Sequence, residues 1–167
     1  MSQAAKKCDG CGSKLVETTE NRRYDRSGLP NVVLMGVTVE HCRKCATSEM
    51  LIPRMDALHD LIANAVIHKE SRLAPAEIAF LRHFMGWTGV SMGQHMGVDP
   101  TTVSAWENGR KTIGPASDRL LRLIVAKRSK SYEYEIDDLV DISDEQRPPE
   151  RVDVRPRANG WQLSVSP

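Results

Sequence analysis

A chain of 167 residues with 40% hydrophobic content is long enough for one ordinary domain or two small ones, and apolar enough to fold. It contains no apolar run of membrane-spanning length and no charged-then-apolar leader, so it reads as a soluble cytoplasmic chain without a membrane span or secretory signal. The net charge of +1 hides an asymmetry. Residues 75–130 carry 8 Lys/Arg against 4 Asp/Glu, whereas residues 131–167 carry 4 against 9. A basic middle beside an acidic tail suits a polyanion-binding segment, although solvated faces alone would give the same count.

In chain order, the first feature is a pair of C-x-x-C knuckles, Cys8-Asp-Gly-Cys11 and Cys42-Arg-Lys-Cys45. In a reducing compartment four cysteines suit a metal better than disulfides. Two thiolates three residues apart reach one ion from a tight turn, and four sulfurs complete a tetrahedral zinc site. Such a site has no open position, so the expected cofactor is a structural Zn2+ held by Cys8, Cys11, Cys42 and Cys45. The competing reading, a pair of redox motifs, lacks the helix that such a motif opens. The insert reads as a β-hairpin, with 14–24 outgoing, a turn at 27–31 and 32–42 returning. A hairpin this small needs the metal for stability. His41 is read as a strand-edge histidine.

From Pro53 the period changes to that of a helix. Met55, Leu58, Leu61, Ile62, Ala65 and Val66 form one stripe of a linker helix over 53–72, expected to pack on a neighbouring domain or a second subunit. His59 and His68 are expected to face solvent. Pro75 opens the next helix at the favoured first position, with Ile78, Leu81 and Met85 inward. Thr88 can cap a short helix whose inner residues are Met92, Gly93 and Met96, with Gly93 small where another helix crosses. Gly97 supplies a left-handed turn. Asp99-Pro100 starts a further helix, with Val103 and Trp106 inward and Asn108-Gly109 as its stop. A last helix follows, capped by Ser117 or Asp118, with Leu120, Leu121, Ile124 and Val125 as core. Residues 73–130 thus read as a helix-turn-helix domain.

Residues 131–167 form an acidic tail. Val152 and Val154, a turn at Asn159-Gly160, and Trp161, Leu163 and Val165 alternate as in a β-hairpin, to which the alternating Tyr132, Tyr134 and Ile136 could add a third strand. Such a tail could bind a partner, cover the basic face, or stay partly disordered. The resulting fold class is α+β in two domains. A four-cysteine β-hairpin domain (1–52) and the linker helix (53–72) precede an all-α, five-helix domain (73–130), with a small β extension in the tail.

The segment Gly97-Val-Asp-Pro-Thr-Thr-Val-Ser-Ala-Trp-Glu-Asn-Gly-Arg110 resembles the second half of the λ-repressor-like (XRE-type) helix-turn-helix. The paired knuckles ahead of it resemble the zinc finger of the MqsA-type antitoxins, and the order of the parts over about residues 6–128 is similar to that family. The resemblance implies a homodimeric repressor acting on a palindromic operator in double-stranded DNA, often beside a toxin gene. Carried over by position, it puts the base-edge role on Thr101 and Ala105, with Pro100 at the entry and Thr102 near a phosphate. The chain departs from the family at Thr101 and Ala105, where Asn and Arg are common, and at Ala46, where glycine is usual and the change is expected to matter little. The methyls of Thr101 and Ala105 can pack on thymine, and the Thr101 hydroxyl can donate or accept at a base edge. Thr102 and Ser104 sit near the helix start, where phosphate is favoured. Asn108, Arg110 and Lys111 are expected on the DNA backbone side, assisted by Arg82. The alternative is an adaptor that neutralises a toxin protein through the zinc hairpin or the tail. No paired carboxylates, open metal site or activated nucleophile suggests an enzyme.

Overall fold

In the computed structural model, which describes residues 6–129 and 134–164, the two halves of the chain share one sheet. Strands β1 (Leu15–Arg23) and β2 (Val32–Cys42) form the expected hairpin, antiparallel from Leu15↔Cys42 to Arg23↔Val33. The polar turn between them is a 3-10 segment at Asp25–Ser27 closed by Gly28, whose φ of 75° favours a residue without Cβ. Halfway along, Met35 and Gly36 oppose the single Asn21, whose side chain accepts the Gly36 N–H at 2.9 Å, so the ladder bulges there.

The partner strands of β2 correct the expected fold class. Strand β3 (Ser48–Met50) pairs with its C-terminal end. Strand β6 (Val152–Arg157) pairs in parallel with its N-terminal end, Val32↔Val152 and Leu34↔Val154, and β7 (Gly160–Leu163) closes the far edge. The result is a mixed five-stranded sheet interleaved with five helices, not an all-α domain after a separate N-terminal hairpin. The Val152–Leu163 hairpin is part of that sheet. The reason is apolar: β2 reads Val-Val-Leu-Met-Gly-Val-Thr-Val, a run that buries more residues than one partner strand covers. Val32, Leu34 and Val154 are completely buried where β6 adds on.

Helix α1 (Met55–Ile67) lies at the centre of this arrangement rather than acting as a spacer. It buries Leu58, Leu61, Ile62, Ala63, Val66 and Ile67, more than a single stripe, in the cluster that also holds Tyr24, Leu34, Ile78, Leu81 and Val154. Met55, expected inside, is largely exposed. His59 is half-buried rather than solvent-facing, its Nε2 2.8 Å from the Tyr24 hydroxyl of the hairpin, and burial lowers its pKa below the usual imidazole value. The indole N–H of Trp161 in β7 donates to the Pro53 carbonyl at 2.8 Å just before α1. His68 is exposed.

Helices α2 (Pro75–Phe84), α3 (Gly89–Met96), α4 (Pro100–Glu107) and α5 (Pro115–Arg128) follow. Glu77 reaches back to the Ala74 N–H at 2.7 Å, which satisfies one donor at the start of α2. Helix α5 begins at Pro115 after Gly114, so Asp118 is not its cap. Leu121 and Val125 are buried, while Leu120 and Leu123 are on the open side. Asp118 and Arg122 instead form an ion pair at 2.7 Å with side-chain exposures of 1% and 0%. Arg122 also donates to the carbonyls of Ile67 at 2.8 Å, Lys69 at 2.5 Å and Ser71 at 2.7 Å, and Asp118 accepts the Leu73 N–H at 2.7 Å. The connector so held contains β4 (Ser71–Arg72), which pairs in parallel with β5 (Ser143–Gln146). The tail's Ile136–Leu139 segment rests on α5 and the end of α1, where Arg119 donates to the Leu139 carbonyl and His68 faces Asp138. Tyr132, placed in a possible third tail strand, and Val165 lie outside the described residues.

Arg122→Met should cost about 3–5 kcal/mol, because it leaves Asp118 charged and unpaired in the interior and three carbonyls without a donor. Adding Asp118→Asn should recover part of that loss and not all of it. Urea unfolding of the two variants tests this; equal stability of single and double variants would contradict it.

Candidate metal centre and nucleic-acid interface

The hairpin register explains how two knuckles 30 residues apart in sequence meet. Leu15↔Cys42 sets the end of β2 beside the chain entering β1, and both knuckles hang from that open end. Each knuckle is a tight turn. In the first, Gly12 N–H donates to the Cys8 carbonyl at 2.7 Å and Cys8 N–H to Ser13 at 2.8 Å. In the second, Cys42 N–H donates to Thr47 at 2.9 Å, and the Cys45 N–H lies 3.4 Å from the Cys42 sulfur. The residue after each second cysteine is left-handed, Gly12 with φ 71° and Ala46 with φ 56°. Ala46 is therefore not an indifferent replacement. A Cβ in that conformation costs about 1–2 kcal/mol.

All four sulfurs lie within 4.8 Å of one another and none is in a disulfide. A tetrahedral thiolate site with bonds of about 2.3 Å requires sulfurs about 3.8 Å apart. Cys11 Sγ and Cys42 Sγ are 3.4 Å apart. The donor set and its spacing fit a metal ion, with Cys8, Cys11, Cys42 and Cys45 as ligands. The surroundings favour thiolate at Cys8 and Cys11. The Ser13 hydroxyl, then Cys45, hold the Cys11 thiol down to about 6, and the Gly10 and Cys11 backbone N–H groups lower Cys8. Cys45 is pushed up to about 12, chiefly because its proton is shared with Cys11. His41 stands apart, 2.6 Å from Glu20 on the neighbouring strand. Hydrogen bonds from Thr18 first, and then His41, lower the Glu20 pKa.

The second group of residues lies at the other end of the chain's helical part. Gly97 turns α3 into α4 with φ 66°. Gly93 permits the crossing: a Cβ there would sit 2.7 Å from the Val98 carbonyl and 3.3 Å from the Pro100 nitrogen. Asp99 caps α4, accepting the Thr101 N–H at 2.8 Å and the Thr101 hydroxyl at 2.6 Å. These two bonds, the hydroxyl's first, lower the Asp99 pKa and keep it anionic. Val103 and Trp106 are buried, so the opposite face of α4 is outermost. It carries Thr101, Ser104, Ala105 and Asn108, with Pro100 exposed and Thr102 half-buried on the flanks. Arg110 and Lys111 follow at the exposed exit.

Three placements differ from the sequence reading. The Thr101 hydroxyl donates to Asp99, so only its acceptor capacity and methyl face outward. Arg82 is tied to Glu107 at 2.6 Å and to the Trp87 carbonyl at 3.0 Å, bracing α2 against α4 instead of facing solvent. Asn108 and Arg110 turn back onto Ser104 rather than away from the helix. Sequence spacing missed the stacked Trp87–His95 pair, ring centroids 4.2 Å apart, which flanks α3. An indole eight residues from an imidazole carries no periodic signal.

No helix of the described residues is long and apolar enough to cross a membrane. Compared with family models, with curated proteins and with solved structures, the chain matches none.

Chelation should remove on the order of several kcal/mol of stability, with the melting midpoint restored by returning the metal, since binding at a site that the unfolded chain does not preform adds directly to folding free energy. Elemental analysis should find one metal per chain in wild type and loss of it in Cys42→Ser. A chelator-insensitive melt would argue against a structural metal. Ala46→Gly should stabilise the metal-loaded protein by about 0.5–1 kcal/mol, the relief of left-handed strain less the greater unfolded-state freedom of glycine. An unchanged or lower melting midpoint would count against it.

Proposed function

We propose that this chain is a DNA-binding transcriptional regulator, a repressor that binds a palindromic operator as a homodimer with α4 in the major groove. The observation that carries the reading is the α3–Gly97–α4 unit. A glycine-permitted close crossing, a left-handed turn and a double-bonded Asp99 cap hold α4 with one face buried and a polar, small-residue face outward. That is the geometry by which a recognition helix enters a groove about 12 Å wide. The resemblance of Gly97–Arg110 to XRE-type repressors, and of the knuckles to MqsA-type antitoxins, supports the same reading and adds a toxin protein as a possible partner. Zinc is the metal best suited to four thiolates in a closed tetrahedral set, and its role is structural. With no open coordination position it activates no water, so no enzymatic activity is assigned.

Thr101 and Ala105 offer methyl groups to thymine, and Lys111 offers a cation to phosphate. Ser104 and Thr102 flank the same face. The anionic Asp99 at the helix start opposes a phosphate there, so backbone contacts fall at the α4 exit rather than at its N-terminus.

Fluorescence anisotropy of the zinc-loaded protein, with the DNA upstream of its own gene against a shuffled duplex, tests the proposal across a salt series. Preferential binding of the upstream fragment is expected, with a log–log salt slope of about −5 if each subunit makes three phosphate contacts. Lys111→Ala should weaken both duplexes alike and reduce the slope by about 1 per half-site. Equal binding to both duplexes that vanishes with salt would overturn the proposal and move attention to a protein partner of the sheet.

A further inference from the structure

We infer that Arg110, which follows the recognition helix, is the side chain that reads a base edge, and that it selects a guanine in each half-site. The inference rests on the DNA-binding reading and deepens it.

The outward face of α4 is poor in hydrogen-bond donors. Ala105 has none, and the Thr101 hydroxyl donates to Asp99 at 2.6 Å. The Asn108 amide donates to the Ser104 carbonyl at 2.8 Å and to the Ser104 hydroxyl oxygen at 3.3 Å, which leaves it as an acceptor. Most base edges in the major groove, and guanine above all, present acceptors. The Ser104 hydroxyl accepts from its neighbours and keeps one O–H, so a face this poor in donors would read little.

The chain reversal after α4 supplies the missing donor. Gly109 adopts φ 67°, its N–H bonds to the Trp106 carbonyl at 3.2 Å, and the Arg110 N–H bonds to the Ala105 carbonyl at 2.9 Å. This paired pattern is a Schellman turn, which folds the residue after the glycine back against the last helical turn. The Arg110 side chain then runs up the helix, and its Nη2 lies 3.1 Å from the Ser104 oxygen. Ser104 lies beside Ala105, both half-buried, within one turn of the exposed Thr101 on the outward face. The guanidinium is thus held at Ser104, beside Ala105, whose side chain is only a methyl group. It uses one of its five N–H groups on Ser104, and the planar fork that remains matches guanine O6 and N7. Ser104 and Asn108 act as positioning residues. The methyls of Thr101 and Ala105 keep their thymine contacts.

The test is selection from a randomised duplex library with the full-length, zinc-loaded protein, in wild type and in Arg110→Ala, Arg110→Gln and Ser104→Ala. Anisotropy then follows on the selected duplex and on its guanine-to-adenine variant. Thermal melts check that each exposed-site variant is folded. Wild type should select a guanine and discriminate it from adenine by about 5- to 150-fold. Arg110→Ala should lose that preference while keeping the others. Arg110→Gln should shift it towards adenine, a change that no loss of charge or fold produces. Ser104→Ala should weaken the guanine preference and leave the salt slope as it was. If Arg110→Ala weakens every duplex by one factor and still selects the guanine, Arg110 is a phosphate contact and the inference fails while the DNA-binding reading stands. A wild-type preference without any guanine would also refute it. If wild type enriches no sequence at all, the DNA-binding reading itself falls.

Discussion

The buried pair of Arg122 and Asp118 is the constraint on which the helical half depends. An arginine with no exposed surface is tolerated only if its charge and its donors are matched. Asp118 supplies the charge, and three carbonyls between Ile67 and Ser71 supply acceptors. Those carbonyls belong to the end of α1 and the connector beyond it, where an ordinary helix leaves acceptors unsatisfied and a cation is favoured. One side chain of α5 therefore fixes where α1 stops and how the chain reaches α2. It also presents β4 for pairing with β5, so the tail's course depends on the same pair.

A metal among the four sulfurs would do for the sheet's open end what the ion pair does for the helices. The end of the hairpin is held by two turns with few apolar side chains, and Cys45 and its neighbours are exposed. Four sulfurs brought within 4.8 Å repel as thiolates unless a cation lies among them. The left-handed Ala46 shows that the second knuckle keeps its shape despite a residue that resists it. Strain of that kind persists where the surrounding structure determines the backbone. At its other end the same sheet is secured without a metal, by β6 and by Trp161 bonding across to Pro53.

In the α3–Gly97–α4 unit, local capping and outward chemistry compete for the same atoms. Asp99 stabilises α4 by taking both the N–H and the hydroxyl hydrogen of Thr101. What strengthens the helix start removes a donor from the face that the helix presents. The Schellman turn at the other end works the opposite way, returning a cation to that face. A small Ala105 and a glycine-led reversal together allow an arginine from outside the helix to stand where a helical arginine would otherwise project.

Much of this was legible from the sequence because it is local. The knuckles, the 14–42 hairpin, the Gly97 reversal, the Asp99-Pro100 start and the small Gly93 each follow from residues a few positions apart, whose backbone preferences act without the rest of the chain. The cysteine cluster was readable for the same reason, once the hairpin joined its two halves. What tertiary structure alone decided is non-local. Parallel pairing of Val32 with Val152, across 120 residues, leaves no turn signal between its strands, and it overturned a fold of separate hairpin and helical parts. The burial of Arg122, the ties of Arg82 and the return of Arg110 onto Ser104 were equally silent, since a charged residue reads as solvent-facing until its partners are placed. Sequence by itself determined the main turns, the Thr88 and Asp99 caps and the paired cysteines. Only the folded chain decided which polar groups would face each other and which strand would complete the sheet, because those choices depend on long-range burial rather than on local backbone preference.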